Sequence, residues 1–333
     1  MMLAGLAGKA QPAPAPGPSK EMKMVLDSSI SLMKQYALFR GNADWSVLRT
    51  EVYGLAQGAT RLEDLGPSIS HLFEAVQDHH GWLAVNDTLF KWPRPEMPWL
   101  NEAVVAGFAK GNRIVSKNLA GGIGYLRVPG MFTDNDTAML DALAQRLADS
   151  LIALHNAGAI KYIIDLRLNA GGNMYPMIAG LSALLGNGSF VGSADAKGCV
   201  QDMTILRNGT LKGVDGGYAS VHAGPDLSGA PVVVLTGHGT GSAGECVAVA
   251  FKGRAKTWFA GEPTAGMTTG NNGHWIIPGK VGIVIAESVL VDRKFRIYKS
   301  ALIPDEWVPN GDDFNDYGAD KKIAMAITML EKK

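Results

Sequence analysis

Two short stretches of this chain place small residues beside groups that can do chemistry. In Leu235-Thr-Gly-His-Gly-Thr-Gly-Ser-Ala-Gly-Glu, the apolar run from Pro231 ends, small residues make a tight turn, and a helix pattern begins near Ser242. A serine there sits at the carboxyl end of a buried strand, where α/β sheets bind ligands. The helix behind it offers free N–H groups and a partial positive charge. Such groups stabilise an oxyanion on an attacked carbonyl. The plain alternative is that Ser242 only caps the helix. A second stretch, Asp165-Leu-Arg-Leu-Asn-Ala-Gly-Gly, again runs from buried strand through turn to helix. Two such corners can face each other across one crevice, one holding a nucleophile and the other donating backbone N–H groups. Asp165 and Arg167 read as a salt bridge bracing the turn.

The elements that must hold these corners follow from periodicity. From Ile123 onward strands alternate with helices: a strand at 123–128, a helix at 136–157 closed by Gly158, a strand at 162–167, and a helix running to Leu185. Strands at 231–235 and 257–260 flank a helix at 242–252. This alternation implies a parallel sheet with crossover helices. Residues 274–298 alternate apolar and polar as hairpin strands do, and a helix over 319–332 ends the chain. Before this part, apolar residues at Met22, Val25, Leu26, Ile30 and Met33 recur at helical spacing. Further helices are expected over 43–57 and 67–77. Trp82 to Pro98 reads as irregular or short strands, with Trp82, Trp92 and Trp99 as core. The expected organisation is a disordered leader and Pro/Ala linker over 1–18, a helical N-terminal domain over 19–80, and an α/β core over 81–333.

Composition excludes several classes. The 333 residues carry 31 Lys+Arg and 31 Asp+Glu, a net charge of zero, which leaves no footprint for nucleic acid or an anionic membrane. An apolar fraction of 47% suffices for a core. The two cysteines, Cys199 and Cys246, cannot make a disulfide framework. The longest uncharged stretch, between Arg167 and Asp195, contains Gly, Pro and Asn and is not apolar enough to span a membrane. No metal-ligand spacing, Walker loop or dinucleotide fingerprint occurs, so no cofactor or metal is expected. Met1 to Ala10 reads either as the end of a signal peptide, which makes the protein exported to a periplasm or secreted, or as a plain leader on a cytoplasmic protein.

The ordered motifs carry a resemblance. Tyr125-Leu-Arg-Val-Pro-Gly-Met-Phe, Asp165-x-Arg-x-Asn-x-Gly-Gly, Val234-Leu-x-x-x-x-Thr-x-Ser-Ala-x-Glu, Gly261-Glu-x-Thr-x-Gly and Ile303-Pro-Asp-x-x-Val resemble, in order and spacing over residues 120–310, the tail-specific (C-terminal processing) and tricorn-core serine peptidases. The resemblance implies a crotonase-like (Clp protease-like) ββα core. It implies Ser242 as nucleophile, an oxyanion hole of the Ala243 N–H with that of Gly171 or Gly172, and a peptide or protein substrate. Tail-specific members activate serine with a lysine in Thr-x-Gly-Lys-Gly, but this chain has Met267 there, and a thioether cannot serve as base. Lys252 and Lys256 read as solvated. Asp78 to Ile123 is too short for an inserted PDZ domain, which points to the tricorn-like, PDZ-less branch. That branch takes a histidine from the N-terminal region, and Asp78-His79-His80 stands at that place. His80 matches the position and His79 is the reserve. Histidine suits the role because its pKa lies near neutral. The family's glutamate position falls on Tyr298, so the acidic partner is left open among Asp78, Glu287, Asp292, Asp305 and Glu306. Two rivals stay open: a catalytically silent binding protein on the same scaffold, and a crotonase-type acyl-CoA enzyme.

Overall fold

A computed structural model describes residues 16–93, 100–111, 113–133, 136–213 and 216–332. Most of the expected leader, and Trp99, lie outside these residues. In chain order the elements begin with helices α1 (Lys20–Tyr36), α2 (Trp45–Leu55) and α3 (Gly66–Ala75) and strands β1 (Trp82–Val85) and β2 (Thr88–Phe90). There follow α4 (Glu102–Ala109), β3 (Val115–Leu119), β4 (Ile123–Arg127), α5 (Thr137–Asn156), β5 (Lys161–Asp165), α6 (Met174–Gly180) and α7 (Ser182–Leu185). Five short strands come next: β6 (Val191–Ala194), β7 (Val200–Met203), β8 (Ile205–Arg207), β9 (Thr210–Lys212) and β10 (Tyr218–Ser220). The chain closes with β11 (Val232–Thr236), α8 (Ala243–Phe251), β12 (Thr257–Gly261), β13 (Thr269–Ile277), β14 (Val281–Asp292), β15 (Ile297–Tyr298), β16 (Glu306–Trp307) and α9 (Lys321–Glu331).

The helices start where side chains can accept the first free N–H groups. Asp44, Asn101, Asp136, Asn173 and Asp320 cap α2, α4, α5, α6 and α9 in this way. The expected single helix after Gly172 is broken at Leu181 into α6 and α7. Helix α4 and the strands β6 to β10 were not legible, because each is too short to show a period.

The chain forms two compact units. The first comprises the described part of Met1–Pro93 together with Asn271–Ala286. Its core joins Val25, Leu26 and Met33 of α1, Ile69, Leu72 and Phe73 of α3, and Ile283 and Ile285 of β14. Within it β1 pairs antiparallel with β2 and with Val281–Val284. The end of the Pro/Ala linker packs here: Pro18 is buried and Pro16 O accepts the Gly58 N–H at 2.7 Å.

The second unit comprises the described parts of Arg94–Gly270 and Glu287–Lys333. Its sheet has the order β16-β12-β11-β5-β4-β3 and is parallel except for the edge strand β3. β4, β11 and nearly all of β5 are buried, which is why they read as continuous apolar runs. One face packs with Leu147 and Leu151 of α5, Ile178 of α6 and Val247 and Phe251 of α8, and the other with Ile323, Ala326 and Leu330 of α9. The result is the mixed α/β architecture expected from the sequence, with helices over both sheet faces and a helical N-terminal part. Among the described residues no helix is long and apolar enough to cross a membrane.

Candidate active site

Ser242 stands between the buried strand β11 and α8, half-buried, with φ 53° and ψ −120°. A non-glycine residue with positive φ is strained, and the strain persists only where neighbours over-determine it. Glu245, one turn into α8, supplies part of that constraint by accepting the Ser242 N–H on Oε2 at 3.1 Å. Its other oxygen, Oε1, accepts the Thr264 hydroxyl and the Gly266 N–H. Burial pushes the Glu245 carboxyl up to about 7 against the pull of these hydrogen bonds.

The second corner lies against the first. A Cβ on Gly171 would meet Ser242 Cβ at 2.8 Å and Ser242 Oγ at 3.3 Å. Asn169 O accepts the Gly241 N–H at 2.9 Å, and a Cβ on Gly244 would meet Asn169 O at 2.4 Å. The corners are thus in direct backbone contact, and only residues without a Cβ permit it. Gly171 and Gly172 also take positive φ values of 119° and 104°. Met131 straps this turn from outside, its N–H donating to Gly171 O at 3.1 Å and its carbonyl accepting the Asn173 N–H at 2.7 Å. The Gly171 N–H itself donates to Asn169 Oδ1 at 3.1 Å.

Asp165 and Arg167 brace the corner as their spacing implied, but inside a larger buried network. Arg167 donates to both Asp165 oxygens at 3.0 and 2.8 Å and to Asp312 and Asp320 at 2.8 Å each. Lys322 Nζ reaches Asp312 at 2.7 Å and Glu262 at 2.5 Å. Tyr125 donates its hydroxyl to Asp165 at 2.6 Å. Burial works to raise the Asp165 carboxyl, but Arg167, followed by Arg127 and Tyr125, outweighs it and holds the group at about 2. Asp312, Asp320, Lys322 and Glu262 carried no signal in the sequence beyond the rule that a buried arginine needs anionic partners.

Met267 lies beside the turn that carries Ser242. Its sulfur would lie 3.7 Å from a Cβ on Gly241, the residue before Ser242. Lys252, read as solvated, instead lays its ammonium 3.5 Å from the Phe259 ring centroid, and burial lowers its pKa.

His80 belongs to the first unit and Ser242 to the second. Burial lowers the His80 pKa, with the Asp78 charge opposing. His79 stacks on Trp92 with centroids 3.8 Å apart. His71 pairs with Glu51 at 2.9 Å, and His274 stacks on Tyr36 at 4.7 Å. Three of the five candidate carboxylates have other tasks. Asp78 binds backbone N–H groups. Asp292 takes the N–H groups of Lys294 and Arg296, the Arg296 guanidinium and the Tyr298 hydroxyl. Asp305 accepts the Phe259 N–H at 2.8 Å. Glu306 is exposed on the edge strand β16, and Glu287 is half-buried on β14. Among the described residues no cluster of His, Cys, Asp and Glu could hold a metal ion.

Known proteins resemble this chain in sequence and in fold. The profile of peptidase family S41 matches residues 122–306, a span that holds both corners. The nisin-resistance protein of Lactococcus lactis subsp. lactis is 26% identical over 291 residues, 87% of this chain and 83% of that protein. A lipoprotein from Streptococcus agalactiae superposes with a TM-score of 0.65 at 16% identity, over 98% of this chain and 99% of that one. The photosystem II D1 C-terminal processing protease superposes with a TM-score of 0.55 at 15% identity, over 87% and 94% of the two chains. The shared architecture is the Clp protease-like fold.

Proposed function

The chain belongs to peptidase family S41, and we propose that it is a serine peptidase that cleaves peptide bonds through an acyl-enzyme on Ser242. His80 acts as general base. Ser242 Oγ attacks the scissile carbonyl while His80 takes the hydroxyl proton. The tetrahedral oxyanion accepts hydrogen bonds from the N–H groups of Ala243 and Gly172. His80 returns the proton to the leaving amine, and water then hydrolyses the ester by the same route. Because the Gly171 N–H donates to Asn169 Oδ1, the second oxyanion donor is assigned to Gly172.

The observation that carries this reading is the contact between the two corners, Gly171 against Ser242. It sets a strained serine at a helix N-terminus beside a glycine turn. Met267 supports histidine rather than lysine as the base, since the side chain beside Gly241 cannot accept a proton.

A fluorophosphonate probe tests the assignment. Ser242 is expected to label, Ser242→Ala to abolish labelling and His80→Ala to slow it by at least about a hundredfold, while the fold is retained. A peptide-library digest, with nisin included because the Lactococcus lactis relative bears that name, reads the substrate class. No labelling and no turnover would favour a silent binding protein, and coenzyme A binding without labelling an acyl-CoA enzyme.

A further inference from the structure

Asp78 is the acidic residue nearest to His80 in the chain, yet its carboxylate is turned to the main chain. Oδ1 accepts the N–H groups of His80 at 2.9 Å and Gly81 at 2.7 Å. Oδ2 accepts the N–H of Ala286, on β14, at 2.9 Å. All four residues belong to the first unit, and Asp78 is only 3% exposed. The first pair of bonds is an Asx turn, in which a short carboxylate closes its own backbone. The third bond ties that turn to a strand more than two hundred residues away. Charge-assisted bonds of this kind are the strong ones.

The turn is also closed sterically. A Cβ on Gly81 would meet Asp78 Oδ2 at 2.5 Å, Phe73 Cε1 at 2.6 Å and Val284 O at 2.7 Å. On the far side of His80, Asn271 Nδ2 donates to its carbonyl at 2.9 Å. The His80 main chain is therefore held at both its N–H and its C=O by side chains.

We propose that Asp78 is a positioning residue for the base, fixing the His80 main chain to β14 through its backbone bonds. The proposal rests on His80 being the base. A second effect follows from charge. The Asp78 carboxylate opposes the burial that lowers the His80 pKa. His79, beside it, is stacked on Trp92, and Asn271 is neutral. Asp78 thus both anchors the base and keeps its proton affinity from falling further.

The test compares the full chain with Asp78→Asn, Asp78→Ala and His80→Ala. Asparagine keeps one acceptor for the turn and loses the charge, whereas alanine loses both. Amide exchange at His80, Gly81 and Ala286 is expected to speed up by about tenfold or more in the alanine variant, and less at His80 and Gly81 in the asparagine variant. kcat is expected to fall about tenfold with asparagine and further with alanine, with KM within about threefold, because Asp78 acts through the His80 main chain. The His80 imidazole pKa, read by NMR on labelled histidine, is expected to drop in Asp78→Asn. Unchanged exchange in Asp78→Ala, or unchanged kcat and imidazole pKa in Asp78→Asn while His80→Ala is inactive, would overturn the proposal. Should the alanine variant not fold, the asparagine variant decides. Wild-type activity in His80→Ala would instead overturn the assignment of the base, and the proposal with it.

Discussion

Glu245 Oε2 accepts the Ser242 N–H at 3.1 Å, while Oε1 binds Thr264 and Gly266 in the segment that ends at Met267. One buried carboxylate therefore holds the strained serine and the segment that carries Met267. Glu245→Gln puts an amide N–H₂ where a donor already points. It is expected to cost about 2–3 kcal/mol, the scale of a buried donor left unsatisfied, and to slow fluorophosphonate labelling. Denaturant melts and labelling rates check both. Equal labelling in both proteins would remove Glu245 from the support of Ser242.

Glu245 also sets a pH dependence. Its folded pKa is raised from 4.5 to about 7 by burial. The native state then binds more protons than the unfolded state between these values. Its contribution to stability is full below pH 4.5 and lost as pH rises through about 7. The expected loss is on the order of a few kcal/mol, and Glu245→Gln should lack it. Unfolding free energies across pH 4 to 8 measure the difference; parallel curves would refute the assignment.

Asp165 works in the opposite sense. Its pKa is lowered from 3.8 to about 2, so the stability it lends is present above the unfolded value and lost as pH falls through the folded one. The steepest acid loss from this group is expected between pH 4 and 2. Arg167→Ala strands the anions of the network and is expected to cost about 3–5 kcal/mol. A melt of Arg167→Ala within 1 kcal/mol of wild type would contradict the bracing role.

Gly171→Ala is expected to abolish labelling of Ser242, because the new methyl meets Ser242 Cβ at 2.8 Å. Gly121→Ala is its control: φ is also positive, at 75°, but nothing lies within 4 Å of the new Cβ. The control is expected to lose about 1–2 kcal/mol of stability from backbone strain alone and to label normally. Normal labelling of Gly171→Ala would show that the corners do not need this contact.

Met267→Lys, placed in the His80→Ala background, brings an amine toward Gly241. Labelling is expected to recover at least about tenfold over His80→Ala, rising as the amine deprotonates. No recovery at any pH up to 10 would show that the Met267 position cannot reach the serine.

Local pattern was enough for the strand–turn–helix corners at Asn169-Ala170-Gly171-Gly172 and Ser242, and for the missing lysine at Met267. Such features depend on neighbours within a turn or two, where periodicity and glycine geometry leave a direct mark. The same holds for α1 to α3 and the buried strands β4, β5 and β11, whose apolar runs follow from burial. Folding decided what lay beyond that range. Arg167 finds Asp312 and Asp320 across 145 and 153 residues, and Asp78 finds Ala286 across 208. Residues 271–286 likewise return to the N-terminal unit although they follow the core in the chain. A buried charge takes whichever partners the packed chain brings within hydrogen-bond reach, and in one dimension many acids and bases compete for each. The choice is made by burial, which raises the cost of every unpaired charge until one set of partners remains.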